Sequence, residues 1–126
     1  MKSTLCFGVF LFFFFSFFIA GHASAQESKF NPDLAYKILM CESGGNPRAI
    51  NYQDAKITGY ASRGLFQFQP KTFLLAGIRF KVFPEWFTLE DAMKYIYRPE
   101  YQGAIAHGLM GAGEYYHWKN CLNQVS

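Results

Sequence analysis

One carboxylate stands out by its position. In "AYKILMCESGGNP", Glu42 follows Ile38 by four residues and Leu39 by three, so it shares the apolar face of a helical pattern. The glycine pair Gly44-Gly45 ends that pattern immediately afterwards. Glu42 therefore lies in a last helical turn, where the negative end of the macrodipole opposes a negative charge. Burial on an apolar face acts in the same sense, and both effects raise the pKa of the acid. A carboxylic acid still protonated near neutral pH is what a general acid needs to protonate a leaving oxygen, as in cleavage of a glycosidic bond. The plain alternative is a solvated Glu that happens to end a helix.

Common glycosidases place two acids around the bond. The next acid along the chain, Asp54, lies in a polar stretch and reads first as a solvated loop residue. In the other reading it orients a water and makes the reaction a hydrolysis. Glu114 would join the site only if the tail folds back. His107 lies one residue off an apolar stripe and reads as a surface or packing residue, and His117 beside Trp118 reads the same way, with sugar contact as its alternative. The ring faces of Tyr52, Tyr60, Phe66 and Phe68 suit the C–H side of a sugar. Core packing is the default for Phe66, whereas Tyr52 and Tyr60 sit in a polar loop and are cleft candidates.

These residues need elements to hold them. Asn31-Pro32-Asp33 supplies an N-cap, a proline at the first helical position and an acid in the first turn, so a helix is predicted over 32–43. Residues 46–62 are polar and turn-rich, with "INY" and "ITGY" as brief strands of a hairpin. "GLFQFQPKTFLLA" predicts a helical turn and then a helix from Pro70 to about Ala76. Phe80 to Phe87 reads as a loop. Thr88-Leu89-Glu90-Asp91 has the form of a capping box with Asp in place of Glu and opens a helix to about Tyr97. Pro99 opens another, with Tyr101, Ala104, Ile105, Gly108, Leu109 and Ala112 as its apolar face. The pattern describes one small domain, mainly α with α+β open.

The N-terminal end has a different character. Met1-Lys2, an apolar run from Leu5 to Ala20 and then Ala23-Ser24-Ala25 read as a secretory signal cut after Ala25, leaving 26–126 as the domain. An uncleaved anchor is the alternative, but the run is shorter than the roughly 20 residues a spanning helix needs. On this reading the membrane is met only through the signal, and the protein is exported to the periplasm or beyond, associated with the cell wall. Eight of the fifteen Phe, Cys6 and Lys2 leave with the signal, taking the formal charge from +3 to +2. So small a basic bias excludes a charge-driven nucleic-acid binder. Cys41 and Cys121 remain in an oxidising compartment, where a disulfide is the default. Closing a loop of about 80 residues, it would contribute about 4–5 kcal/mol through the unfolded state. Metal ligation is the weaker alternative, since no further Cys or clustered His accompanies the pair.

Two segments carry a resemblance. "CESGGNPRAIN", followed from Ser62 by "SRGLFQFQPKTF", resembles the goose-type-lysozyme-like lytic transglycosylase domain, whose pattern is an acid then Ser, then Asn-Pro and Ala, then Ser-x-Gly-Leu-x-Gln. "CESGGN" is also similar to the resuscitation-promoting factors, small secreted relatives of lysozyme. The resemblance implies a small helical domain with a saccharide cleft. Glu42 matches the family's catalytic acid, and Ser43 matches a residue supporting that acid's environment. Asn51 falls where a polar residue often lies near the substrate N-acetyl group. Gln67 matches a cleft-lining amide, and Gln69 falls where the family often has Met. The family's Ala-Tyr-Asn-like segment with its cleft tyrosine has no counterpart here; Tyr115 and Tyr116 are the nearest candidates, with packing near the disulfide as their alternative.

What the resemblance implies about activity is cleavage of the MurNAc-β-1,4-GlcNAc bond of peptidoglycan strands by a single Glu, closing a 1,6-anhydro ring without water, metal or cofactor. Three rivals stand beside it: a lysozyme-type muramidase, a glycan-binding module that lost turnover, and a structural envelope protein held by an uncleaved anchor. Other envelope or secretion-complex proteins are further possible partners.

Overall fold

The structure, a computed structural model of the chain, describes residues 28–126; the expected signal lies outside them. Helix α1 (Pro32–Ser43) forms within the limits its caps dictate. Asn31 Oδ1 accepts from the Leu34 N–H at 3.1 Å, Pro32 takes the first helical position, and Gly44 closes the helix in the left-handed region with its N–H on the Met40 carbonyl. Ile38 is fully buried on its inner face, while Glu42 is half-buried at the rim.

The polar stretch after α1 makes the only sheet among the described residues, with β1 (Ile50–Asn51) antiparallel to β2 (Ser62–Arg63). Ile50 pairs with Arg63 and Asn51 with Ser62. "INY" therefore supplies a strand, but "ITGY" does not. Residues Ala55–Thr58 form a single helical turn, α2, because the Thr58 N–H returns to the Asp54 carbonyl at 2.9 Å.

Helix α3 (Pro70–Arg79) runs three residues past the expected end. Apolar packing carries it through Gly77, where a Cβ would lie 2.1 Å from the ring of Phe83. Helix α4 (Leu89–Met93) starts on the expected capping box but stops four residues early, in turns that lead to Tyr97. Asp91 Oδ2 accepts from the Thr88 N–H at 3.0 Å, and Thr88 Oγ1 accepts from the Asp91 N–H at 3.2 Å. The bonds from Thr88 hold the Asp91 carboxyl below the usual carboxylate value.

Helix α5 (Pro99–Gly111) has a rotated inner face. Ile105 and Leu109 are buried as expected, but Gln102, Ala106 and Met110 join them, whereas Ala104 and Ala112 are exposed. A buried amide decides the rotation. Gln102 Oε1 accepts from the Leu65 N–H at 2.5 Å, and its Nε2 donates to the carbonyls of Ile96 at 2.8 Å and Pro47 at 3.2 Å. A polar residue that apolar patterning would place outside is thus the tie between α5 and both segments flanking the site. All its bonds are made, so its burial is not penalised.

Gly64 is shaped to that amide. Its φ is +84°, and a Cβ there would lie 2.6 Å from the Gln102 amide. Gly64→Ala is expected to cost about 2–3 kcal/mol, from the left-handed backbone and the displaced hydrogen bonds. Urea unfolding should show the midpoint fall; an unchanged midpoint would mean that Gln102 moves aside freely.

A single-turn 3-10 helix (Tyr115–Trp118) leads into α6 (Lys119–Val125), which packs on α1. Trp118 is buried against Phe66 and Phe68, with Nε1 donating to the Phe66 carbonyl at 2.8 Å. Phe73, Ile96, Ile105 and Met110 continue the core beneath. Cys41 and Cys121 form the expected disulfide, Cα atoms 5.8 Å apart, joining the end of α1 to α6. Among the described residues no helix is long and apolar enough to cross a membrane.

Candidate active site

A cleft of about 690 Å³ opens where the end of α1, the β1–β2 hairpin, the start of α3 and the tail meet. Glu42 and Asp54 line it together, with Ser43, Asn51, Gln67, Gln69 and Tyr116. These seven sequence candidates thus share one wall system although they come from four separate segments.

Glu42 is the chemically unusual group. Burial, and then the neighbouring charge of Asp54, raises its pKa to about 7. No hydrogen bond of the described residues engages its carboxyl, so nothing favours the ionised form. The helix end supplies the position, and the second carboxylate adds to burial in the electrostatics.

Asp54 is accordingly no solvated loop residue. It occupies the N-cap position of α2 yet makes no side-chain cap bond. Its Oδ2 instead accepts from the hydroxyl of Ser62, which is 3% exposed and therefore oriented by its partners. Ser62 Oγ in turn accepts from Gln69 Nε2 at 2.8 Å, and Gln69 Oε1 accepts from Thr58 Oγ1 at 2.9 Å. The "SRGLFQFQ" segment thus builds a polar relay behind Asp54.

Gln67 sits in the left-handed region, φ 52°, and its Nε2 donates to the carbonyls of Gly64 at 2.9 Å and Ala49 at 3.2 Å. Those bonds hold a costly backbone conformation and fix this amide on the cleft wall. Ser43 Oγ donates to the Leu39 carbonyl and accepts from the Gly45 N–H, so it braces the helix end that carries the acid. Asn51 Oδ1 accepts from the Gln53 N–H at 3.0 Å.

This arrangement, an elevated acid at a helix end with the Ser-x-Gly-Leu-x-Gln segment across a cleft, coincides with the result of comparison with known families. Residues 20–110 match the transglycosylase SLT domain. The chain belongs to the transglycosylase SLT domain family. No curated protein and no solved structure matches it. The SLT domain's substrate in general is peptidoglycan, and its activity in general is lytic transglycosylation. The match carries that half of the sequence resemblance and does not extend to the resuscitation-promoting factors.

The matched range stops before the tail of this SLT domain, and the tail supplies a wall of its own. Tyr116, 64% exposed, lies with its ring centroid 4.2 Å from that of His117, and both line the cleft. Burial lowers the His117 pKa, opposed by Glu114 and reinforced by Arg79. Tyr115 stands elsewhere. Its hydroxyl accepts from the Asn31 N–H at 3.1 Å and donates to the Lys29 carbonyl at 3.0 Å, clamping the chain ahead of α1. Tyr52 is 69% exposed and outside the cleft lining. Glu114 is held by Arg79 at 2.6 Å, and His107 stays on the surface against Phe30. Among the described residues no three His, Cys, Asp or Glu side chains converge as metal ligands.

Sequence reasoning reads Asp54 first as a solvated loop residue and His117 first as a packing residue, each with a site role only as its alternative, and misses Thr58 and Ser62 as parts of the site. One available signal is the Asp-Ala-Lys-Ile-Thr run, in which Thr four residues after Asp closes a helical turn.

The acid's elevated pKa has a consequence for stability. The folded state holds the Glu42 proton more tightly than the unfolded chain, so its contribution is fully present below 4.5 and is lost as pH rises through about 7. Each tenfold difference in proton affinity between the two states corresponds to about 1.4 kcal/mol. Discounted for solvent screening of a half-exposed group, the burden at pH 8 is about 1–2 kcal/mol. Glu42→Gln is therefore expected to raise the thermal midpoint at pH 8 and to leave it unchanged at pH 4. Equal midpoints at both pH values would place the acid in an unstrained, solvated setting.

Proposed function

We propose that the chain cleaves the MurNAc-β-1,4-GlcNAc bond of peptidoglycan by transglycosylation, with Glu42 serving first as general acid and then as general base. The observation that carries this reading is a carboxyl on a cleft wall, free of protein hydrogen bonds and with its pKa raised to about 7. Near neutral pH such a group exists in both protonation states, which a residue that first gives and then takes a proton requires.

In the reaction, Glu42 donates its proton to the glycosidic oxygen as the bond to the muramic C1 breaks. The acetamide carbonyl oxygen of the muramic residue shares an electron pair with C1 and carries part of the developing charge. The Glu42 carboxylate then takes the proton of the C6 hydroxyl, whose oxygen bonds to C1 and closes the 1,6-anhydro ring while the acetamide is released. Every proton taken up is returned, so no water is consumed.

The remaining groups support binding. Tyr116 presents an exposed ring to the cleft for the apolar face of a pyranose. Asn51 offers its amide N–H groups and Gln67 its amide oxygen, the other ends of both being held by backbone, and Ser43 steadies the helix end. The disulfide accords with export to an oxidising envelope compartment, where peptidoglycan is met. The deciding experiment is mass spectrometry of peptidoglycan digested by the purified domain. Anhydromuramyl ends are expected, whereas reducing muramic ends would establish hydrolysis instead, and an undigested wall that still retains the protein would establish a binding module.

A further inference from the structure

The mechanism above leaves two charged side chains of the cleft idle, Asp54 and Lys119, and Asp54 is the carboxylate of the pair. Its Oδ2 is fixed by Ser62, backed by Gln69 and Thr58. Its Oδ1 has no hydrogen-bond partner among the described residues. No cation pairs with it either, the ion pairs among those residues being Arg79 with Glu114 and Lys94 with Asp91. A relay of three side chains thus holds a negative charge still and turns its unpaired oxygen loose in a saccharide cleft, close enough to Glu42 to act on it. A carboxylate so placed answers to a cation, or to an N–H that becomes cationic. In the proposed reaction the N–H that becomes cationic is that of the muramic acetamide.

We propose that Asp54 Oδ1 accepts a hydrogen bond from the N–H of that acetamide and stabilises the oxazolinium-like charge formed as the glycosidic bond breaks. The inference rests on the transglycosylase reading given above. As Glu42 protonates the leaving oxygen, the C1–O pair departs with it. The acetamide carbonyl oxygen bonds to C1, and the positive charge spreads onto its nitrogen. Asp54 Oδ1 faces that N–H throughout the step. When the C6 oxygen displaces the acetamide and its proton passes to Glu42, the amide is neutral again and the contact weakens. The stabilisation is therefore largest in the transition state and appears in turnover rather than in binding.

The test compares Asp54→Asn with the parent protein on two substrates. One is natural glycan strands, and the other is strands whose muramic acetamide has been converted to the free amine. Asn keeps the shape and removes the charge, so on natural strands kcat should fall about 10²-fold with KM nearly unchanged. On the de-acetylated strands kcat should be equally low for both proteins, because no acetamide charge develops there for Asp54 to offset; attraction to the amine's own charge would be read in KM. An unaltered kcat on natural strands, or an equal loss on both substrates, would overturn the assignment. Ser62→Ala provides a second arm that keeps the charge and frees its tether; it should lower kcat about 10-fold at constant KM, and no effect would count against the relay. If Asp54→Asn does not fold, the Ser62→Ala result decides. Anhydromuramyl ends from the parent protein with an indifferent Asp54→Asn would sink this inference alone. Reducing ends from the parent protein, lost in Asp54→Asn, would overturn both readings and make Asp54 the residue that positions water.

Discussion

Glu42→Gln is expected to lower the release of anhydromuramyl fragments by about 10³-fold or more, with retention on insoluble peptidoglycan unchanged. General acid–base catalysis by one positioned group contributes about 10²–10⁴-fold, and here the same carboxyl serves both steps. Gln keeps the volume and one acceptor oxygen of the side chain, so the cleft should bind glycan as before. The parent enzyme should also lose activity as pH rises through about 7, since burial and Asp54 set that value and the acid form initiates the reaction. Quantitative mass spectrometry of muropeptides against time provides the rate, and co-sedimentation with insoluble wall provides the binding. Residual activity within tenfold of the parent would remove Glu42 from the mechanism.

The second large effect is expected from the disulfide. Replacing Cys41 and Cys121 by Ser should cost about 3–5 kcal/mol, because their bridge closes a chain separation of 80 residues. For a domain of this size each kcal/mol corresponds to about 4–8 °C, so the melting temperature should fall by about 12–40 °C. The same change should reach the chemistry. Cys41 directly precedes Glu42, Cys121 follows the Tyr116–Asn120 wall, and both line the cleft. Loss of the bridge would let α1 and α6 part at their shared end. Calorimetry with and without reductant measures the first effect, and KM for glycan strands well below the melting range measures the second. A melting temperature unmoved by reductant would show that the packing of α1 on α6 suffices alone.

The elements legible in the sequence were those closed by local chemistry. Asn31, Pro32 and the Gly44-Gly45 pair bound the first helix to the residue, and Thr88 with Asp91 started the fourth, because caps act within three or four residues. Elements settled by distant contacts were less readable. Helix α3 passes through Gly77 because Phe83 fills the space beside it. The inner face of α5 turns toward Gln102 because that amide finds three backbone partners in segments 6, 37 and 55 residues away.

The candidate site divides in the same way. Glu42 could be singled out from the sequence because its two peculiarities, an apolar face and a helix end, are both local. The disulfide too was readable, from cysteine count and compartment, and the two matching segments named the family. Only the tertiary structure showed that Asp54 stands beside the acid, that Ser62 and Gln69 hold it there, and that Tyr116 rather than Tyr115 lines the cleft. The physical reason is that a carboxylate's character depends on the charge and solvent within a few ångströms of it. Those neighbours come from segments 12 or more residues apart, and their approach is decided by how the hairpin, α3 and the tail close over the end of α1.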